Sequence, residues 1–193
     1  TELKSNGNED AAFQVETSAS DKDKANTPIT AENTADSVTV TRSTRNKAPD
    51  NPQSHVSKAA LSTKIIGADD ITAASDHEAG KGTLEFTLKA GETVNIVTSV
   101  GGGGRTYHND MTLWEGAAEP AADAQELLDS VADEGAVAAL NDARKSWWKD
   151  FWSASYVDLG TEDENLSKVQ KYYYGAQYLL GSSTKEGKVA PGI

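Results

Sequence analysis

Between residues 84 and 100 the apolar positions alternate with polar ones, as a half-buried strand requires. Leu84, Phe86 and Leu88 stand against Glu85 and Thr87. Ala90-Gly91 supplies turn residues, and Val94 and Ile96 resume the alternation through Val100. The pattern predicts an antiparallel hairpin, and a lone hairpin is marginal in water, so it also predicts further strands beside it. Val38 and Val40 against Thr39 and Thr41 mark a strand over 37–43, and Leu61, Ile65 and Ile66 mark a less regular one over 59–66. Residues 1–35 are poor in large apolar groups; Phe13-Gln14-Val15 reads as a short edge strand in a long polar excursion, with Ile29 the other group to bury. Residues 46–54, with Pro49 and Pro52, read as a loop, and 69–81 as a polar connection. The glycine run 101–104 is followed by Arg105 and not by a Gly-Lys-Ser/Thr helix start, so it reads as a strand exit and not a phosphate loop.

Beyond residue 119 the period changes to that of helices. Pro120 suits a first-turn position, and 121–131 predicts a short helix with Leu127, Leu128 and Val131 on one side. A longer helix begins near Glu134 and carries Val137, Leu140, Trp147, Trp148, Phe151 and Trp152. About twenty residues of helix span roughly 30 Å. Trp147/Phe151 and Trp148/Trp152 are i, i+4 pairs, which stack along a helix face. After a break at Leu159-Gly160, Thr161 and Glu164 read as a capping box. Leu166, Val169, Tyr173, Ala176 and Leu180 then form an apolar stripe, with Gly181 as the terminating residue.

Nine of the 13 aromatic side chains lie between Trp147 and Tyr178. Any one of them serves as core, but Leu and Ile fill a core without polar atoms, whereas Trp and Tyr carry N–H and O–H groups that need partners. Such rings suit a wall that meets a hydroxyl-rich ligand or a large neighbouring domain. The stretch WWKDFWSASYVDL, then YYYGAQYLLGSS, then APGI, over residues 147–193, resembles the entry to the catalytic barrel of glycoside hydrolase family 95 and its relatives. Ala176-Gln177 stands where an Arg commonly precedes the Tyr-Leu-Leu run. The resemblance implies a β-sandwich, a helical linker and an (α/α)6 barrel whose catalytic side chains come from segments beyond these. It also implies that Tyr173, Tyr174 and Gln177, with Trp148 and Trp152, contribute to a sugar-facing wall, against the plainer alternative that they pack the barrel.

The formal net charge is −12 over 193 residues, with 10 basic against 15 acidic groups in 1–104 and 8 against 15 in 105–193. Both parts would repel a phosphate backbone, so nucleic acid is excluded as a partner. There are no cysteines, hence no disulfide or thiolate chemistry. A hydrophobic content of 37% and a mean hydropathy of −0.57 are polar for a self-sufficient globule. No apolar run is long enough for a membrane span. The chain has no initiating Met and closes in VAPGI, which reads as an excised or cleaved portion of a larger protein, from a bacterial secreted or cell-surface setting.

Glycoside hydrolysis needs a general acid and a second carboxylate as base or nucleophile. Asp150, Asp158, Glu162, Asp163 and Glu164 lie near the aromatics, but each has a plainer role: an exposed helix face for Asp150, a helix first turn for the last three. No catalytic residue is therefore assigned to this chain. His108-Asn109-Asp110, His55 and His77 do not stand at metal-ligand spacing, so no metal and no cofactor is expected. The expected architecture is mixed: an antiparallel β-sandwich portion over 1–104, a linker with a short helix over 105–135, and the first helices of an (α/α)6 barrel over 136–193. The expected function is part of a glycoside hydrolase acting on an oligosaccharide or glycan. Its barrel would be completed by the rest of the same polypeptide or a companion chain. The alternative is a non-enzymatic carbohydrate-binding or cell-surface interaction protein.

Overall fold

The computed structural model describes residues 1–19, 28–45, 56–103, 119–160 and 162–184. Among these residues the fold is mixed, with two antiparallel sheets and three helices. The eight strands are β1 (Glu2–Lys4), β2 (Ala11–Ser18), β3 (Ile29–Asn33), β4 (Ser37–Arg45), β5 (Val56–Ile66), β6 (Thr72–Asp76), β7 (Lys81–Leu88) and β8 (Thr93–Gly103). The helices are α1 (Pro120–Asp129), α2 (Glu134–Ala154) and α3 (Glu164–Ser183). One sheet has the order β1-β8-β5-β4-β3, the other β2-β7-β6. Two compact units result, Thr1–Ala138 and Ala139–Ile193, with the division falling inside α2.

The sheets share one core because alternation aims the same residues inward from both. Gly82, Leu84, Phe86 and Leu88 of β7 are buried while Glu85 is exposed. They meet Val38, Ile65 and Val94 from the five-stranded sheet. Each such side chain contributes about 1.5–3 kcal/mol relative to exposure. The layers come close at Gly82, where a Cβ would lie 2.6 Å from that of Val38. Thr17, Thr63 and Thr98 continue the interlayer space as a hydroxyl chain, at 3.0 and 3.1 Å, so these polar groups are satisfied internally.

The expected hairpin over 84–100 is not formed. β7 pairs with β2 and β6, whereas β8 pairs with β1 and β5. The alternation is as expected in β7 and at Val94 of β8, whereas Val100 is exposed, and the turn between the strands carries the chain from one layer to the other. Gly91 at φ 76° makes this crossing, and Gly67 at φ 96° makes the corresponding one from β5 to β6. Two polar stretches also contain more strand than expected. The start of the chain supplies β1, the whole of β2 and β3, and the connection over 69–81 contains β6. All four are edge strands, whose outer side needs no apolar residues. The loop expected over 46–54 lies outside the described residues.

The first three glycines of the run continue β8: Gly101, Gly102 and Gly103 pair with Ala60, Ala59 and Lys58, and Gly104 lies outside the described residues. Gly101 is where α1 lands. A Cβ there would lie 1.8 Å from the Pro120 carbonyl oxygen and 3.0 Å from the Ala124 nitrogen. The helix buries Pro120, Ala124 and Leu128, at i, i+4 and i+8, while Leu127 is exposed, contrary to the expected side. Ser99 donates to the Ala124 carbonyl, and Ser37 and Thr39 donate to the Gln125 side chain. The helix expected in the linker therefore packs on the outer face of the five-stranded sheet, away from β7.

Candidate functional site

The Ala139–Ile193 unit consists of most of α2 together with α3, and its aromatic residues organise it. Trp147 stacks on Phe151 at 5.3 Å and Trp148 on Trp152 at 5.7 Å, both as the i, i+4 spacing predicts. Trp148 also stacks on Tyr178 of α3 at 5.1 Å, and Trp152 meets Tyr174 edge-on at 5.6 Å. The helices can approach because Gly181 has no side chain: a Cβ there would lie 3.0 Å from the Phe151 ring and 3.3 Å from that of Trp148. Gly181 is thus an interior contact of α3, which runs on to Ser183, and not its terminator.

α3 is capped by Asp163, whose carboxylate accepts from the Asn165 and Leu166 amides at 2.8 and 3.0 Å. This replaces the expected Thr161 cap; Thr161 lies outside the described residues. Glu164 instead pairs with Lys168 one turn on, at 2.7 Å. The connection between the helices is held by α3 itself. The Tyr174 hydroxyl accepts from the Val157 amide at 3.1 Å and donates to the Val157 carbonyl at 2.9 Å, and Gln170 accepts from the Leu159 amide at 2.8 Å.

Of the five residues expected on a sugar-facing wall, Trp148, Trp152 and Tyr174 form one run of ring contacts. Tyr173 joins it edge-on to Tyr174 at 5.4 Å, with its hydroxyl 3.5 Å from Ser155 Oγ. Gln177 lies between Tyr174 and Gly181 on the same helical face, and all five are half-buried. Phe151 and Tyr178 belong to the same assembly and were not singled out. The acidic residues nearby have local duties: Asp158 accepts from the Gly160 amide at 3.0 Å, Asp163 caps, and Glu164 pairs with Lys168.

The apolar stripe expected on α3 is not the face that packs. Leu166, Val169 and Leu180 are exposed, the last two at 55%, as is the neighbouring Leu179 at 67%. Tyr174, Gln177 and Gly181 face α2 instead, because ring stacking and the Val157 bonds fix that orientation. No residue of α2 is fully buried.

A second feature lies on the five-stranded sheet and was not anticipated. A trough runs between the outer face of β3–β4 and the first turn of α1. Two connected hollows, of about 250 and 340 Å³, share Glu32, Thr39 and Ala121. Thr30, Thr41 and Ser43 line the larger one, with Lys58 and Glu119, themselves paired at 3.6 Å, at its end. The signal for it was present as the polar half of the Val38/Val40 alternation. The groups with displaced protonation equilibria lie elsewhere. Hydrogen bonds from Lys81 and Ser18, with the charge of Lys81, hold Glu16 below the usual carboxylate range. Lys89, 2.6 Å from Asp69, does the same to that carboxyl.

Among the described residues no three His, Asp or Glu side chains converge on a common point, and no helix is long and apolar enough to cross a membrane. No protein-family description, no curated protein and no solved structure matches the chain. What stands is a class defined by its own architecture: two antiparallel sheets around one core with a helix on the outer face of the larger, and an aromatic helix pair.

Proposed function

We propose that this chain is part of a glycoside hydrolase resembling family 95: a β-sandwich portion followed by the first helices of an (α/α)6 barrel. The observation that carries this reading is the apolar flank of α3, where Leu166, Val169, Leu179 and Leu180 stand uncovered beside the aromatic seam. A helix whose strongest apolar stripe is open wants a further helical layer against it. In a barrel that layer is the next helix pair, from the same polypeptide or a companion chain. The half-buried Trp148, Trp152, Tyr173, Tyr174 and Gln177 then stand at the inner edge of the enclosure, facing an oligosaccharide or glycan. The catalytic carboxylates then lie outside these residues; beside the seam, Asp158, Asp163 and Glu164 are taken up in a turn, a cap and a pair. A bacterial secreted or cell-surface setting goes with the reading.

The test is hydrolysis of aryl-glycosides and oligosaccharides by a polypeptide carrying this chain together with completed barrel helices, run beside the 193-residue chain alone. Turnover is expected from the first and none from the second. Activity in the short chain would refute the placement of the catalytic groups. An inactive complete polypeptide would refute the glycosidase reading and leave an interaction protein.

A further inference from the structure

We infer that the trough on the five-stranded sheet binds a neutral, hydroxyl-rich chain, a glycan segment, independently of anything the helix pair does. Its existence follows from how α1 sits. The helix is drawn down at Gly101 and Ser99 of β8, where side chains are absent or small. It is bonded to β4 at Gln125, by Ser37 and Thr39, and the outer face of β3 and the far half of β4 line the hollow beside it.

The floor of the trough is a lattice of hydroxyls. Thr39, Thr41 and Ser43 follow one another on the outer face of β4, two residues apart and so about 7 Å from one to the next. The register of β3 sets Thr30 opposite Thr41 and Glu32 opposite Thr39. The Thr30, Thr41 and Ser43 hydroxyls can both donate and accept, Thr39 is engaged with Gln125 and Ser62, and the Glu32 carboxylate accepts only, so the lattice is matched to ligand O–H groups that present both roles. Pro120, Ala121 and Ala122 give the facing wall an apolar strip, between Glu119 and Gln125, against which the C–H face of a sugar ring can lie.

Charge decides against the other hydrogen-bonding ligands. The cation of the trough, Lys58, is paired with Glu119, and Glu32 adds an unbalanced negative charge. Phosphate, sulfate and acidic glycans are repelled, as they are by the net charge of −12 over the whole chain. Among the described residues no aromatic side chain lines either hollow, so none of them offers a ring for a sugar to stack on. Affinity is then in the millimolar range and comes from several sugar units along the trough. The trough holds a chain and does not select a terminal residue.

The experiment is a titration of the isotope-labelled 193-residue chain with cellohexaose, xylohexaose and maltohexaose, followed by amide chemical shifts, with sodium phosphate and heparin as anionic probes. Saturable shifts at Thr30, Glu32, Thr39, Thr41 and Ala121 are expected from at least one neutral hexaose. They should weaken about tenfold or more in Thr41→Val and in Glu32→Gln. Both variants replace surface strand residues without altering the core, and their own spectra report whether the fold is kept. Shifts from phosphate or heparin at these positions would overturn the inference. So would no shift there from all three hexaoses, or hexaose shifts confined to Trp148–Tyr178. Because the readout is binding by this chain alone, it stands or falls apart from the glycosidase reading, which is tested by turnover.

Discussion

Gly101→Ala is the sharpest single perturbation of the two-sheet unit. The new Cβ would lie 1.8 Å from the Pro120 oxygen, 2.7 Å from its carbonyl carbon and 3.0 Å from the Ala124 nitrogen. These are backbone atoms, so no side chain can swing away. A carbon and a carbonyl oxygen rest at about 3.3–3.6 Å, so the first turn of α1 must lift by roughly 1.5 Å. That movement takes the Ser99–Ala124 hydrogen bond out of range and loosens the seat of Leu128, which is fully buried. Overpacking of this kind costs about 1–3 kcal/mol and the lost hydrogen bond about 0.5–1.5 kcal/mol, together about 2–4 kcal/mol. The control is next door. A Cβ at Gly102 meets nothing within 4 Å. Gly102→Ala should be neutral or gain roughly 0.4–1 kcal/mol through the unfolded chain. Thermal and urea unfolding of the three proteins, followed by far-UV circular dichroism, gives the comparison. At about 2–4 °C per kcal/mol, Gly101→Ala should lower Tm by roughly 5–15 °C. Amide exchange across α1 should rise in that variant alone. Equal stabilities for the two alanine variants, or α1 amides as protected as before, would show that the helix does not rest on the strand as described.

In the helix pair, Tyr174→Phe keeps the ring against Trp152 and removes both bonds to Val157. Leaving that half-buried peptide unpartnered should cost about 1–3 kcal/mol and speed amide exchange at Val157 first; unchanged exchange there would refute the latch. On the two-sheet unit, Lys89→Met tests the pair that joins the chain after β5 to the chain after β7. Its hydrogen bond, then its charge, holds Asp69 below the usual 3.8, and Asp69 in turn raises Lys89 above 10.5. The lowered carboxyl contributes stability above 3.8 that is lost as pH falls through its folded value. The raised amine contributes below 10.5 and is lost as pH rises through its folded value. The variant should therefore differ from the parent only between those limits, less so in salt, and its Asp69 midpoint should return upward in a carboxyl NMR titration. A midpoint that stays low would mean that another group holds it.

Strand and helix existence were legible wherever the period was strong. Val38/Val40, Leu84/Phe86/Leu88 and the i, i+4 rings of α2 all take the faces that their spacing demands. Pairing was not legible, because alternation specifies which side of a strand is buried and not which strand lies beside it. The turn at Ala90-Gly91 fits a hairpin and a layer crossing equally well in composition; only the presence of β2 and β6 for β7 to join decides it. Edge strands were under-read for a related reason. β6 (TAASD) and β3 (ITAEN) carry few large apolar groups, since one of their long sides faces solvent. The glycine run reads in sequence as a strand exit, whereas at Gly101 its role is the absence of a side chain beneath α1. Such a role is visible only when the neighbour is.

The same distinction bears on the aromatic helices. A stripe such as Leu166, Val169, Tyr173, Ala176 and Leu180 states which face of α3 gains most by leaving water. It does not state that the nearest helix will cover it. Here α2 takes the adjacent face, because Tyr178 stacks on Trp148, Gly181 admits Phe151, and the Tyr174 hydroxyl finds both polar atoms of Val157. Those contacts are directional and mutually consistent, while burial of the leucines has no direction of its own. The pair thus keeps a specific seam and holds its non-specific apolar surface in reserve. Once α2 has settled against Gly181, a layer added to the open flank can cover Leu179 and Leu180 without disturbing a single ring contact. Seam and flank are thus separate surfaces of α3, one fixed by directional contacts and the other left exposed.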